Sequence, residues 1–291
     1  MTIVSKKEYE LYSYGDSLAS QTARLGLSEK SIDFKHNHIY LESKGEHLQP
    51  NYKIINPKCF VPALIHSGKT VCDSVRILEY IDTFSPDIGP KLFPNDENLN
   101  IEVRSLVKEF SLDEKIKLGE NFGTSVALAS TPILAKLLCK RSTLDVIWDY
   151  STKHPDKQRA LIFIIVRLIG GPPNFVEKKA LSGIARGISF IETFLSHGKD
   201  YIAGDYSSAD CLLTGLLHRL EDLALQSILT SDKLPLLKNY WLRLKERPSY
   251  KTAILDWELE EWKEVKEKLY GCEDNPKINF FWSEFEKIKI N

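Results

Sequence analysis

The sequence predicts a two-part fold: an α/β domain of βαβ–ββα order over residues 1–86, then an all-helical domain over 98–291. Three observations carry this. Ile32, Phe34, His36, His38 and Tyr40 fall on alternate positions, the period of a strand. Ser85-Pro86-Asp87-Ile88-Gly89-Pro90, with Phe93-Pro94-Asn95-Asp96, is dense in breakers and reads as a linker. Beyond it, apolar residues recur at helical spacing. A chain of 291 residues is long enough to bury a core in each part.

The elements follow in order. A strand near 10–14 leads through a Gly15-Asp16 turn into a helix near 17–30, marked by Leu18, Thr22, Leu25 and Leu27. The second strand is near 32–41. Asn56-Pro57 leads into a third, which includes Ala63-Leu64-Ile65-His66, and Ser67-Gly68 is a hairpin turn. A helix starts at Ser74, where Val75, Ile77, Leu78 and Ile81 take up helical spacing, and ends near 83. In the second part, helices are expected near 101–118, 131–150, 158–168, 176–195, 208–225, 236–245 and 257–270. Ser207-Ser208-Ala209-Asp210 is a variant capping box with Ile202 and Tyr206 upstream as its staple, so Asp210 holds the fold rather than doing chemistry. His218-Arg219, set between leucines, reads as core or interface.

Composition excludes several functions. Lys and Arg total 39 against 40 Asp and Glu, a formal charge of −1, which leaves no footprint for nucleic acid or an anionic membrane. The five cysteines are scattered and lack C-x-x-C spacing, which argues against a disulfide framework, a zinc site or a dithiol redox pair and fits a reducing cytoplasm. Cys59 reads as an ordinary buried thiol. Met1-Thr2-Ile3-Val4-Ser5-Lys6-Lys7 lacks the apolar segment of a signal peptide. The most apolar run, 160–169, is interrupted by Arg167 and falls short of the roughly 20 residues of a membrane span. His36 and His38 share a strand face without a third ligand, so no metal is expected. The expectation is a cytoplasmic protein without nucleic-acid, membrane or metal partners.

Three patches bear chemistry. Asp73-Ser74 stands where a helix begins, so the Ser74 N–H and hydroxyl can receive a carboxylate at the positive end of the dipole while Asp73 pairs with a neighbouring ammonium. The same pair also reads as a plain helix cap. Val61-Pro62 puts a proline at a strand entrance, where it removes a ladder donor. Ser17 and Ser20 lie at the first helix's entrance, where a hydroxyl can donate to a thiolate and lower a thiol's pKa, or simply cap the helix. Spacing alone selects neither serine.

Together these patches resemble the cytosolic glutathione transferases, whose first domain is thioredoxin-like. Leu11-Tyr12-Ser13-Tyr14, followed by Ser17 and Ser20, resembles the zeta class, in which the catalytic serine falls at Ser17. Lys44-Gly45-Glu46-His47-Leu48, Asn56-Pro57 and Val61-Pro62 resemble the theta class; by that resemblance His47 contacts the glycyl carboxylate, Val61-Pro62 is cis, and Asp73-Ser74 replaces the family's Glu/Gln-Ser pair. Over the whole chain, Ser20-Gln21, Leu217-His218-Arg219-Leu220, Tyr240-Trp241 and Arg247-Pro248-Ser249-Tyr250 resemble tetrachlorohydroquinone dehalogenase-like and ganglioside-induced differentiation-associated protein-like members. Two departures stand out. Ala19 replaces the dehalogenases' resolving cysteine, and Phe60 replaces a theta-class lysine, with Lys58 the nearby candidate to substitute.

The resemblance implies glutathione as co-substrate, a hydrophobic electrophile as second substrate and a homodimer. The activity it implies is that of a detoxification-type transferase, attacking an electrophilic carbon by conjugation, ether cleavage or dehalogenation-like chemistry. Residues 140–175 look like an insertion relative to compact transferases. Trp257, Trp262, Val265 and Leu269 make an amphipathic segment that either covers the electrophile pocket or packs on the helical domain. The alternative is a non-catalytic glutathione-binding or regulatory protein of the same architecture.

Overall fold

The computed structural model describes residues 9–85, 87–271 and 275–290. Met1 to Lys7, Pro86 of the linker and Cys272 lie outside them. The first part opens with β1 (Tyr9–Ser13), α1 (Leu18–Glu29) and β2 (Phe34–His38), the strands parallel with Tyr9 opposite Phe34 and Ser13 opposite His38. After a short helical turn over Glu46–Leu48 come α2 (Pro50–Ile55), β3 (Ala63–His66), β4 (Lys69–Cys72) and α3 (Ser74–Phe84). The sheet order is β2-β1-β3-β4, with β3 antiparallel to β1 and to β4. Ser67 and Gly68 make the expected hairpin turn, with φ of 56° and 75°. β2 is shorter than the alternation suggested. α2 went unread because it is a single short stretch begun by Pro50 at its first turn.

The helical part runs α4 (Glu97–Phe110), α5 (Phe122–Ala129), α6 (Thr131–Leu138), α7 (Thr143–Lys153), α8 (Lys157–Ile169), α9 (Asn174–Leu195), α10 (Ser208–Asp222), α11 (Gln226–Leu229), α12 (Pro235–Glu246), α13 (Pro248–Ala253), α14 (Glu260–Tyr270) and α15 (Ile278–Ile290). Two expected helices need correction. The one placed at 101–118 starts earlier, where Asp96 caps Leu99 N–H at 2.9 Å, and stops at Phe110. Asn121 causes the stop: its side-chain amide donates to the Lys108 and Ser111 carbonyls while its oxygen caps Thr124 N–H and starts α5. The one placed at 131–150 is two helices, because Ser142 accepts the Asp145 N–H and begins a new helix after a break at 139–142. At the far end, α14 begins later than expected, and α15 packs on α9 with Phe281 and Phe285 buried.

One hydrophobic core runs from Leu11 of β1 to Phe285 of α15. α1 is its central wall, in contact with α3 on one side and with α10 and α13 on others. Polar ties hold the wall. Lys30 and Asp82 form a buried ion pair at 2.7 Å, and the Asp82 oxygens also accept the Leu92 and Phe93 N–H groups, fixing the linker to α3. Arg247 grips Glu29 through two nitrogens, at 2.7 and 2.5 Å. The Ser207–Asp210 capping box forms as read, and Asp210 also accepts the Tyr240 hydroxyl at 2.6 Å and the Ile202 N–H at 3.1 Å.

Candidate active site

β1 delivers the chain to Tyr14-Gly15-Asp16, and Ser17 then caps α1 with extended backbone angles, its Oγ accepting the Ser20 N–H at 3.3 Å. The two serines differ. Ser17 is half-buried at the positive end of the helix, and its hydroxyl proton is given to no described residue. Ser20 is fully buried and its Oγ accepts the Tyr14 N–H at 3.4 Å, an internal brace for the turn.

The α3 start is arranged in a similar way. Asp73, exposed and at φ 83°, caps through Oδ1, which accepts the Val75 and Arg76 N–H groups at 3.0 and 3.2 Å. Its Oδ2 accepts no hydrogen bond among the described residues. Ser74 is half-buried and shares a cleft with Leu18, Ala19 and Thr22 of α1, floored by Phe110 of α4 and Leu216 of α10. The first turns of α1 and α3 therefore open onto one groove at the junction with the helical part.

The loop between these starts is tightly built. The Asn56 side chain takes the Lys58 N–H at 3.1 Å and donates to the Phe60 carbonyl at 2.7 Å, which also accepts the Tyr52 hydroxyl at 2.5 Å. Val61-Pro62, which follows, is cis. Cys59 is buried, as read. Lys58 points outward and ion-pairs with Glu114. Phe60 lies beneath the guanidinium of Arg159 from α8, 4.5 Å from ring centre to Cζ.

His47 is not presented at the groove. It is buried against Tyr150 of α7, with ring centroids 6.1 Å apart. Burial, with His154 and Arg141 nearby, pushes its pKa down to about 3, so the imidazole is neutral, and Nδ1 has no hydrogen-bond partner. His36 and His38 meet edge to face at 5.6 Å, and His36 hydrogen-bonds Ser13 Oγ at 2.9 Å.

The sequence did not reveal what braces the serine turn. Arg24 of α1, fully buried, donates to Gly15 O at 2.5 Å, Tyr14 O at 3.3 Å and Ala253 O at 2.8 Å, and lies over the Trp257 ring. Arg219 of α10 donates to the Asp16 carbonyl and stacks on Trp262 at 4.2 Å. From the far end of the chain, Leu259 N–H reaches Asp16 Oδ2 at 3.2 Å, and Glu261 accepts the Tyr14 hydroxyl at 2.8 Å and the Ser43 hydroxyl at 2.9 Å. A β-carbon on Gly15 would stand 2.2 Å from the Trp257 carbonyl, so only glycine admits this approach. Burial, with Asp222 close by, pushes the Asp16 carboxyl up to about 7 despite Arg219 and the Leu259 N–H. No local signal marked this brace: Arg24 shares its helix face with Ser20, Gln21 and Ser28, as an ordinary polar helix residue would.

His218, Asp222 and Glu258 also come within 4.8 Å of one another. Asp222 already meets the cationic side chains of Arg219 at 3.1 Å and Lys266 at 2.6 Å, which answer its charge.

Comparisons with known proteins agree with this architecture. The model of the glutathione S-transferase N-terminal domain matches residues 16–83 and that of the C-terminal domain matches 159–248, together more than half of the chain. Glutathione S-transferase TCHQD of Arabidopsis thaliana is 26% identical over 250 residues, 84% of this chain and 89% of that one. Protein LigF of Sphingobium sp. is 36% identical over 100 residues, only 34% of this chain and 38% of its own length. The crystal structure of the beta-etherase LigF aligns with a TM-score of 0.73 at 25% identity, covering 84% of this chain and 98% of that one. Maleyl pyruvate isomerase, a bacterial zeta-class protein, shares the fold with a TM-score of 0.59 at 20% identity, over 86% of this chain and 99% of its own. With both domain models matched in order on a thioredoxin-like sheet followed by helices, the chain belongs to the glutathione S-transferase family.

Proposed function

We propose that this chain is a serine-type glutathione transferase in which the Ser17 hydroxyl donates a hydrogen bond to the glutathione thiolate and so stabilises it. Ser74 receives the γ-glutamyl carboxylate at the α3 N-terminus, Asp73 Oδ2 takes the neighbouring ammonium, and the Val61 backbone pairs with the cysteinyl unit. The helical part supplies the apolar wall for a hydrophobic electrophile. The observation that carries this reading is the uncommitted Ser17 hydroxyl at the α1 N-terminus, next in sequence to Leu18, which lines the same small cleft as Ser74.

The thiolate attacks an electrophilic carbon. A C–S bond forms as the bond to a halide or aryloxide breaks, and the leaving group departs with the electron pair; on a conjugated bond the sulfur adds instead. Ether cleavage is the favoured class, because the beta-etherase LigF is similar along most of the chain. The protein's share is thiolate stabilisation and positioning, about 2–5 kcal/mol. We place the enzyme in the cytoplasm, as a homodimer that detoxifies electrophiles.

The test is steady-state kinetics with glutathione and a β-aryl ether or an aryl halide. Ser17→Ala should lower turnover more than about tenfold, the lower end for one preorganised donor, with glutathione affinity nearly unchanged. Ser20→Ala should chiefly lower the melting temperature. If Ser20→Ala abolishes turnover in a folded protein while Ser17→Ala does not, the assignment is wrong. If the unaltered protein binds glutathione but turns over neither substrate, the non-catalytic reading replaces this one.

A further inference from the structure

We propose, on the glutathione-binding reading given above, that Arg159 of α8 receives the glycyl carboxylate of the peptide, so that the helical part closes that end of the site. Register fixes the direction in which the ligand runs. β3 and β4 set Ala63 opposite Cys72, so the antiparallel pairing, carried on by one residue, brings Asp73-Ser74 and the γ-glutamyl end beside Pro62. Val61 is buried, yet its N–H and carbonyl make no hydrogen bond among the described residues. Backbone left unpaired in this way suits an extended peptide laid along it. A cysteinyl unit that exchanges both of its hydrogen bonds with Val61 pairs antiparallel. The glycine that follows it in the ligand then runs alongside Phe60, away from α3.

Arg159 is what stands over Phe60, its Cζ 4.5 Å from the ring centre. The side chain is half-buried, and burial pushes its guanidinium below the usual range even with Asp156 and Glu114 nearby. Neither acid meets it. Asp156 caps α8 by accepting the Arg159 backbone N–H at 3.0 Å, and Glu114 is paired with Lys58. A guanidinium partly withdrawn from water with no carboxylate in contact is half of an ion pair. Its planar fork fits a carboxylate through two parallel hydrogen bonds. The other cations around this loop are engaged. Lys53 Nζ donates to the Lys153 carbonyl at 2.6 Å, Lys157 Nζ donates to the Ser151 carbonyl at 2.7 Å, and Glu114 holds Lys58. His47 is buried and neutral. Among the described residues, Arg159 is the uncommitted cation that lies against Phe60.

The test is calorimetry of the full chain with two ligands: glutathione, and glutathione amide, in which a carboxamide replaces the glycyl carboxylate. The unaltered protein should bind glutathione about tenfold more tightly than the amide, the lower end for a charge-assisted hydrogen bond. Arg159→Gln should weaken glutathione by about the same factor, leave the amide unchanged and so erase the preference. Equal affinity of the unaltered protein for the two ligands overturns the proposal, as does a preference that survives in Arg159→Gln. If the variant weakens both ligands alike, Arg159 serves only to pack on Phe60 and the proposal falls. In each of these cases glutathione still binds and the reading of Ser74 and Val61 stands. No heat from either ligand overturns the glutathione reading itself, and the Arg159 assignment with it.

Discussion

Replacing Asp16 by asparagine should stabilise this protein at alkaline pH and do little at acid pH. Asp16 is buried, its Oδ1 has no partner, and burial raises its pKa from 3.8 to about 7. Below pH 3.8 the carboxyl is protonated in the folded and unfolded chains alike and contributes no penalty. Between there and about pH 7 the folded chain keeps a proton that the unfolded chain has released, so stability falls as pH rises. Above about pH 7 both states are ionised and the full penalty applies. A pKa unit is worth about 1.4 kcal/mol, so the ceiling is on the order of 4 kcal/mol, with roughly two thirds of it accruing between about pH 5 and pH 8. Asparagine does not titrate. Its oxygen still accepts the Leu259 N–H, and its amide can face Asp222. Melting curves of both proteins at the two pH values should therefore diverge, with the variant gaining about 5–10 °C over the parent on going from acid to alkaline buffer. Glu42, also raised to about 7 by burial with Glu261 nearby, is present in both proteins and cancels in the comparison. A difference that does not change with pH, or a variant that loses ground at alkaline pH, would refute the reasoning and mean that Arg219 already holds Asp16 ionised.

Two further outcomes are expected. Asp73→Ala should raise the Michaelis constant for glutathione about ten- to a hundredfold through loss of a charge-assisted hydrogen bond, and should lower the melting temperature through the lost cap; Ser74→Ala, which keeps its backbone N–H, should do less. A changed melting temperature with an unchanged Michaelis constant would reduce both residues to caps. Gly15→Ala should cost about 1–3 kcal/mol by overpacking against the Trp257 carbonyl, read as a lower urea midpoint, and an unchanged midpoint would show that the C-terminal segment does not press on the turn.

Sequence made legible what is local. Caps at Ser17, Asp73 and Ser207, the Ser67-Gly68 turn and the breaker-rich linker each depend on a few neighbouring residues, and each appears in the structure. Distant partners were not legible. Asn121 ends one helix and starts another by reaching back to Lys108. His47 is buried because Tyr150, far along the chain, lands on it. Arg24 reads as an ordinary helix residue until Ala253 and Trp257 are placed beside it. The short helices α5 and α13 owe their existence to packing and caps more than to propensity, so no periodicity announced them.

The buttress on the serine turn sets an order of maturation. The ribosome releases the first domain long before residues 253–262, and domains generally fold as they emerge. Until that last third arrives, Arg24 lacks its Ala253 acceptor, Asp16 lacks the Leu259 N–H and Tyr14 lacks Glu261. A nascent chain can thus complete its sheet and its α3 cap while Ser17 is still unsupported. Under the role proposed for Ser17, thiolate chemistry would begin only once residues 253–261 have closed over the turn.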